Sequence, residues 1–257
     1  MVRKMQENSD VIIGRNAVTE ALKAGRSIDA LWVAKGDRSG SLSKIIAMAS
    51  SAGIPVKDVS PAKLDAMSAN GNHQGVCATA AVKEYSSVDD IFALAQEKNE
   101  SPFIIIADEI EDPHNLGAII RSAEASGAHG VIVSKRRAAG LTFAVGKSSA
   151  GAIEYLPVAR VANIAQTIDK LKEKGVWVYA ADMDGETWCQ ANLTGGLALV
   201  IGSEGSGVGR LIKEKCDGVL SLPMNGRVNS LNASVAAGIL MYEAARQRAG
   251  IKANNGK

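Results

Sequence analysis

The sequence predicts an α/β protein built from two domains. Short runs rich in Val, Ile and Leu alternate with helix-like segments through most of the 257 residues, separated by glycine or polar turns. The length exceeds that of one typical domain. The pattern also changes at Pro102, where apolar, strand-like runs followed by helix-like segments begin. We therefore expect a smaller N-terminal domain followed by a larger one.

Residues 1–82 are predicted to form the first domain. Helices are predicted over 16–23 and 41–51, because each stretch ends at a glycine, Gly25 or Gly53. Strands are predicted over 30–34 and 75–82, with a further apolar segment at 54–56. The result is a compact α/β unit.

Residues 83–100 are acidic, with two Lys/Arg against five Asp/Glu. Ile91, Phe92, Leu94 and Ala95 are spaced to place one helical face against a core. We interpret this segment as a linker helix between the domains.

Residues 101–248 are predicted to form the second domain, and residues 249–257 a polar tail. Its apolar runs are short, rich in β-branched residues and flanked by turn residues, at 103–107, 130–134, 176–180, 197–202 and 218–223. Continuous apolar strands of this kind are typical of a parallel sheet covered on both faces. A parallel α/β sheet is therefore expected here.

The composition excludes several classes of protein. Hydrophobic residues make up 46% and charged residues 22%, and no apolar run approaches the roughly 20 residues that span a bilayer. The first ten residues lack the apolar core of a secretory signal, so we expect a cytoplasmic protein without a membrane partner. Cys77, Cys189 and Cys216 are too few and too scattered to indicate a disulfide framework or a zinc site, and no metal is expected.

The formal net charge is only +2, so charge alone does not indicate a nucleic-acid partner. Residues 1–82 carry ten Lys/Arg against seven Asp/Glu. This small excess is compatible with phosphate contact and equally with a solvated surface.

Ligands of parallel α/β sheets bind at the carboxyl ends of strands, so the loops that follow the strands are candidate sites. In the first such loop, Pro113 disfavours helix at Asp112, and Asn115 is a plausible N-cap. Arg121 then lies inside the helix, among small side chains that leave room for a ligand. The alternative makes Asn115 only a cap and Arg121 a surface ion-pair partner.

Two further loops contain unusual residues. Residues 200–209 form a strand that opens into a glycine-rich turn, whose spacing is neither a Walker loop nor the GxGxxG of dinucleotide folds. Glu204 in this turn would repel a pyrophosphate, so a neutral or cationic ligand fits better. Residues 229–234 place several hydrogen-bonding side chains at the start of a helix rich in small residues. That helix could equally serve helix packing or a dimer contact.

In this order, the three loops resemble the signature motifs of SPOUT-class RNA methyltransferases, in particular the SpoU/TrmH family. The matching segments are Asn-Leu-Gly-Ala-Ile-Ile-Arg at 115–121, Ile-Gly-Ser-Glu-Gly at 201–205 and Ser-Leu-Asn-Ala-Ser at 230–234. Residues 147–152 also resemble the family, with Ser148 where Ala is usual. Residues 14–18 and 73–76 resemble the RlmB-type subgroup, which modifies guanosine in 23S rRNA. The likeness covers most of residues 11–248.

The resemblance implies an α/β SPOUT domain whose C-terminal end forms a trefoil knot, preceded by a small L30e-like α/β domain that binds RNA. It also implies a homodimer that uses S-adenosyl-L-methionine to methylate a ribose 2′-hydroxyl of structured RNA. Ribosomal RNA is expected rather than transfer RNA, and no DNA.

The resemblance assigns roles to individual residues. The expected catalytic residues are Asn115, Arg121, Glu204 and Asn232, with Arg121 as general base or phosphate ligand. The expected cofactor-binding residues are Gly202, Gly205, Leu222, Met224, Ser230, Leu231 and Ser234. The expected RNA-binding residues are Arg15, Asn16, His73, Gln74 and Lys147. Without the resemblance, Leu222 and Leu231 would be core leucines, Asn16 a helix cap and His73 a turn residue.

Three other functions are compatible with parts of the sequence. A catalytically silent RNA-binding protein could keep the same scaffold, and a related enzyme could methylate a base nitrogen. A transfer RNA ribose methyltransferase is the alternative within the family. A dinucleotide-dependent enzyme is disfavoured by the glycine spacing.

Overall fold

The computed structural model describes residues 11–23, 25–36, 40–68, 70–80 and 83–252. The chain forms two compact units. One comprises residues 1–84 together with 140–146, and the other comprises 85–139 and 147–257. The last two residues of the strand predicted over 75–82, and residues 253–257 of the predicted tail, lie outside the described residues.

The N-terminal unit contains a four-stranded sheet in the order β1-β4-β2-β3. Strand β4 pairs antiparallel with both β1 and β2, whereas β2 and β3 are parallel. Its core is formed by apolar residues of the sheet and of the first two helices, including Val18, Leu31 and Leu42. The elements are β1 Val11–Ile13, α1 Arg15–Lys23, β2 Ile28–Ala34, α2 Ser41–Ser51, β3 Val56–Val59, α3 Pro61–Met67 and β4 Val76–Ala80.

The C-terminal unit contains a six-stranded sheet in the order β10-β8-β9-β5-β6-β7, in which every pair is parallel. The predicted parallel sheet is therefore confirmed, and its central strands β5 and β9 are buried along their whole length. The strands are β5 Phe103–Ala107, β6 Gly130–Ser134, β7 Val158–Val161, β8 Trp177–Thr187, β9 Leu197–Ile201 and β10 Gly218–Ser221. The helices of this unit are α4 Val88–Glu97, α5 Pro113–Ala125, α7 Ile164–Glu173, α8 Arg210–Lys215 and α9 Ala233–Arg248. Helix α6 Phe143–Ser148 is shared, because residues 140–146 belong to the N-terminal unit.

The segment interpreted as a linker differs from the expectation. Its helix forms as α4, and Ser87 and Asp90 form a capping box at its start. The hydrogen bonds from the backbone and the hydroxyl of Ser87 lower the pKa of Asp90. Ile91 is fully buried in the core of the C-terminal unit. The helix is therefore part of that unit rather than a connection outside it.

Several elements have different bounds from those predicted. Helix α1 begins at Arg15, so Asn16 lies inside its first turn and is not its cap. Strand β8 continues to Thr187, well beyond the predicted residue 180. Strand β7 and helix α7 were not predicted. Among the described residues, no helix is both long and apolar enough to cross a membrane.

Gly130 at the start of β6 has almost no room for a side chain. A Cβ added there would lie 2.5 Å from Cγ1 of Ile91, and Gly130 is itself buried. The close approach of strand and helix therefore requires glycine at this position.

We expect Gly130→Ala to lower the free energy of unfolding by about 1–3 kcal/mol, because the added methyl group overpacks the core. Urea denaturation would measure the change. Gly226→Ala is the matched control, since the nearest atom to its added Cβ is 4.0 Å away. Equal denaturation midpoints for the two variants would contradict the close contact.

Candidate active site

The first helix of the site, α5, begins one turn earlier than predicted. Asp112 is its N-cap, and its carboxylate accepts hydrogen bonds from the backbone N–H groups of His114 and Asn115, both at 3.2 Å. The prediction that Asn115 is the cap was therefore wrong. Pro113 occupies the first helical position, where its missing N–H costs nothing. The Asn115 side chain is thus available for contacts outside its own helix.

Asn115, Glu204 and Asn232 form a hydrogen-bonded triad that joins three separate loops. Asn115 Nδ2 donates to Glu204 Oε1 at 2.9 Å, and Asn232 Nδ2 donates to Asn115 Oδ1 at 2.9 Å. Asn232 Nδ2 also donates to Glu204 Oε1. Three of the four predicted catalytic residues therefore lie together, although 117 positions separate the two asparagines along the chain.

Asn232 has a second task, because it is also the N-cap of α9. Its Oδ1 accepts from the backbone N–H groups of Ser234 at 3.0 Å and Val235 at 3.3 Å, and from the Ser234 hydroxyl at 2.6 Å. Both ends of the amide are therefore occupied, which determines its orientation. Ser234, predicted to bind the cofactor, instead bonds to Asn232.

The glycine-rich loop after β9 folds back on itself. The backbone N–H of Gly207 donates to the carbonyl oxygen of Ser203 at 2.9 Å, and Gly207 has φ +63°. A Cβ on Gly202 would lie 2.1 Å from the carbonyl carbon of Gly207, so the turn closes only with glycine at 202. In contrast, a Cβ on Gly205 would meet nothing within 4 Å.

Asp108, directly after β5, holds both ends of this loop. Its backbone N–H donates to the Ile201 carbonyl at 2.8 Å, and its carboxylate accepts from the Gly209 N–H at 3.2 Å. Burial raises the pKa of Asp108, although the bond from Gly209 opposes this shift. Asp108 was not among the residues predicted from the sequence.

A cavity of about 310 Å³ lies between the glycine-rich loop, residues 181–183 in the middle of β8, and the start of α9. Six of the seven predicted cofactor residues line it: Gly202, Gly205, Leu222, Met224, Ser230 and Leu231. Ser234 does not line it, while Glu204 does. Most of the wall consists of apolar side chains and glycine backbone, with Glu204 and Asp182 as its acidic groups.

Asp182 was missed by the sequence analysis. Burial acts to raise the pKa of Asp182, but the hydrogen bonds from Lys213 and from the Met183 N–H outweigh it, so the net shift is downward. The carboxylate therefore stays ionised at the cavity wall. Because Asp182 follows a predicted strand, the rule that ligands bind at strand ends could have identified it.

Arg121, the fourth predicted catalytic residue, does not line this cavity. It lies six residues after Asn115, which is about 120° around the helix. Its side chain is exposed, and within the described part of the chain no group pairs with it. The alternative that Arg121 is a surface ion-pair partner is therefore not supported.

The predicted RNA-binding residues fall into two groups. In the N-terminal unit, Arg15 Nε donates to the Gln74 carbonyl at 2.9 Å, and the Arg15 N–H donates to Gln74 Oε1 at 3.1 Å. His73 Nδ1 accepts from Gly75 N–H at 3.0 Å, and its Nε2 lies 3.1 Å from Asp65 Oδ1. Asn16 is exposed on the same unit.

Lys147 is exposed in the last turn of α6 and belongs to the C-terminal unit. Among the residues that the structure describes, no side-chain bond joins Lys147 to the triad. Within the ranges that the structure describes, no group of three or more His, Cys, Asp or Glu side chains could hold a metal ion.

The parallel sheet and the three loops at its carboxyl edge are those expected of a SpoU-type methyltransferase, and comparison with known families agrees with this assignment. The profile of the SpoU rRNA methylase family matches residues 102–242, which is more than half of the chain. The profile of RNA 2′-O ribose methyltransferase substrate-binding domains matches residues 11–86. The chain therefore belongs to the SpoU/TrmH family of methyltransferases, as the motifs indicated.

Individual relatives match nearly the whole chain. The Bacillus subtilis protein YacO, whose name places it in the TrmH family of tRNA/rRNA methyltransferases, is 52% identical over 246 residues. The match covers 95% of this chain and 98% of that protein.

Two solved structures are similar over both units. The SpoU methyltransferase AviRb of Streptomyces viridochromogenes, in complex with the cofactor AdoMet, is 25% identical with a TM-score of 0.60, covering 93% of this chain and 90% of that one. An AdoMet-bound rRNA methyltransferase of Sinorhizobium meliloti is 25% identical with a TM-score of 0.58, covering 95% and 90%.

We expect Asn232→Asp to separate the two tasks of Asn232. Aspartate still caps α9, but it presents a carboxylate to Glu204 where the amide donated. Methyltransferase activity should fall roughly 10- to 100-fold, because the Glu204 carboxylate loses a hydrogen-bond donor and faces a second carboxylate. Kinetic assays and thermal unfolding would measure activity and stability side by side.

The matched control is Asn225→Asp, an exposed position in the same loop. It changes the same chemical group without touching the triad, so its activity should equal that of the parent protein. Full activity of the Asn232→Asp variant would contradict a role for the triad.

Proposed function

We propose that this protein transfers a methyl group from S-adenosyl-L-methionine to the 2′-hydroxyl of a ribose in structured RNA. The Asn115–Glu204–Asn232 triad, beside the cavity at the carboxyl edge of the parallel sheet, is the observation that carries the proposal. The match of residues 11–86 to a ribose methyltransferase substrate-binding domain supports RNA as the substrate.

The cavity suits S-adenosyl-L-methionine. Leu222, Met224 and Leu231 offer apolar contact for an adenosyl group, and the open face of Gly205 allows a ligand to approach its backbone. Glu204 supplies negative charge at the wall, which favours a cation, whereas the charge of Asp182 is paired with Lys213. The cofactor, when bound, supplies a methyl group activated by a positively charged sulfur. The AdoMet complex of AviRb supports this choice of cofactor.

The triad's contribution is positioning. Holding an alcohol in line with an electrophile supplies a large share of the barrier reduction in such a transfer. Both the nitrogen and the oxygen of the Asn232 amide are hydrogen-bonded. The two asparagines donate to Oε1 of Glu204, so among the described contacts its Oε2 is available to accept a further hydrogen bond. We assign Glu204 and the asparagines to the orientation of the ribose and the cofactor.

Arg121 is assigned to the substrate. A guanidinium stays protonated in proteins, so it is a poor acceptor for the hydroxyl proton. It is a good ligand for the phosphate beside the target ribose, which could take part in removing that proton. The absence of a partner for Arg121 among the described residues supports this role.

We further propose guanosine in 23S rRNA as the target. The family's description names rRNA, and the Sinorhizobium rRNA methyltransferase resembles this chain across both units. In the N-terminal unit, Arg15 and the exposed Asn16 at the start of α1, and His73 and Gln74 in the turn before β4, are assigned to RNA contact, together with Lys147 of the other unit. Folded RNA is recognised largely through its shape and phosphates.

A homodimer is part of the proposal. Val235, Ile239 and Tyr242 follow one face of α9 at helical spacing, and all three are exposed. Helix α9 packs against α5, where a Cβ on Gly238 would be in ordinary contact with the Ser122 hydroxyl at 3.9 Å. An apolar face of this kind fits a second copy of the chain. A C-terminal trefoil knot and a cytoplasmic location complete the proposal, both taken from membership of the family.

The function is tested by incubating the protein with methyl-labelled S-adenosyl-L-methionine and either ribosomal or transfer RNA. Methylation of the ribose makes the adjacent linkage resistant to alkali, so mapping the resistant linkages identifies the nucleotide. Alkali-sensitive product would indicate a base methyltransferase instead. Calorimetry without cofactor uptake would indicate a silent RNA-binding protein.

We expect Arg121→Ala to abolish methylation and to leave the dissociation constant for S-adenosyl-L-methionine nearly unchanged, because Arg121 lies outside the cavity. Glu124→Ala, an exposed change on the same helix, is the control and should be fully active. Loss of cofactor binding in the Arg121→Ala variant would show that its role is misassigned.

A further inference from the structure

Three consecutive cationic residues follow strand β6 at the carboxyl edge of the sheet: Lys135, Arg136 and Arg137. Strand β6 lies next to β5, whose own loop leads to the triad residue Asn115. The basic segment is thus on the edge of the molecule where the proposed chemistry takes place. Neither the family resemblance nor the proposed function assigns it a role.

Hydrogen bonds hold the backbone of this segment in place. The N–H of Lys135 donates to the Val161 carbonyl at 2.8 Å, and the N–H of Ala139 donates to the Ile110 carbonyl at 2.8 Å. The Ser134 hydroxyl donates to the carbonyl of Arg136. The cations are therefore presented from a fixed loop that is joined to the loop after β5.

The two loops also share an unusual backbone feature. Arg137 and Glu109 both adopt left-handed conformations, with φ 51° and 55°, which non-glycine residues rarely do. Arg137 Nη1 pairs with Glu109 Oε1 at 3.0 Å, while 72% of the Arg137 side chain stays exposed. Strained residues that the surroundings hold in place cluster at functional sites.

Acidic and basic side chains occupy different parts of the carboxyl edge of the sheet. A cavity of about 360 Å³ beside the triad is lined by Glu109, Glu111, Asp112 and Glu204, together with Asn115. Its carboxylates repel phosphate, so an RNA backbone cannot run through it. Arg136 is exposed, and no side chain within the described ranges neutralises it or Lys135. Phosphates are therefore favoured on the basic side and excluded from the acidic one.

We propose that Lys135, Arg136 and Arg137 form a phosphate-binding site for the RNA strand that flanks the target nucleotide. The target's ribose and base, which carry no phosphate charge, face the acidic cavity. Arg137 uses one of its donors on Glu109 and keeps the others for the RNA. The inference rests on the proposed function and adds a contact on the C-terminal unit itself.

The test compares Arg136→Glu with Lys170→Glu. Lys170 is an exposed lysine near the end of α7, away from the carboxyl edge of the sheet. Both variants replace a cation by a carboxylate, so they change the net charge equally. We expect the KM for RNA to rise roughly tenfold in Arg136→Glu and little in Lys170→Glu. The kcat and the dissociation constant for S-adenosyl-L-methionine should stay unchanged. The salt dependence of RNA binding should also become shallower, by about 0.7 per lost phosphate contact on a single strand.

A second pair of variants separates RNA contact from loop anchoring. Arg137→Ala should weaken RNA binding more than Glu109→Gln does, because both changes break the ion pair but only the first removes a cation. Equal losses in both variants would show that the ion pair only holds the loops, and would overturn the proposal.

Equal RNA KM values for Arg136→Glu and Lys170→Glu would overturn it as well. These outcomes require that the parent protein methylates RNA. If the parent protein binds S-adenosyl-L-methionine but methylates neither ribosomal nor transfer RNA, the proposed function itself fails.

Discussion

The hydrogen bonds of Asn232 are the constraint on which the site depends. One end of this amide caps α9, and the other end joins Asn115 and Glu204. Three loops that are far apart in sequence are thereby held against one another. Two of these loops line the cavity, together with residues of β8, β10 and α9. Asn232, whose donors and acceptor are all used, therefore holds part of the cavity wall in place.

The backbone around the triad supports the same arrangement. Gly202 lets the loop after β9 close, because any side chain there would collide with the backbone of Gly207. Asp108 then bonds to both ends of that loop. Acidic groups gather at this edge, and the basic segment that begins at Lys135 lies one strand away. The carboxylates repel a phosphate and the neighbouring cations attract one, so a phosphate is favoured only on the basic side of this edge.

Much of the fold could be predicted because burial leaves a direct mark on sequence. Strands such as Phe103–Ala107 are apolar at every position, and their bounds were correct. Helix α7 was missed although its apolar residues are spaced along one helical face. Strand β7 was missed because it is only four residues long and contains Arg160. Asn115 was misassigned as a cap, since asparagine and aspartate cap equally well and only the structure shows that Asp112 does so.

By itself, the sequence determined the parallel sheet, the three candidate loops and, through its motifs, the family. These features depend on local residue patterns. Only the tertiary structure decided that Asn115, Glu204 and Asn232 touch, and that α4 belongs to the C-terminal unit. The same holds for Asp108, which bonds to the glycine-rich loop, and for Asp182, which lines the cavity. Such contacts join residues up to 117 positions apart, and their partners depend on strand order, which no local pattern encodes.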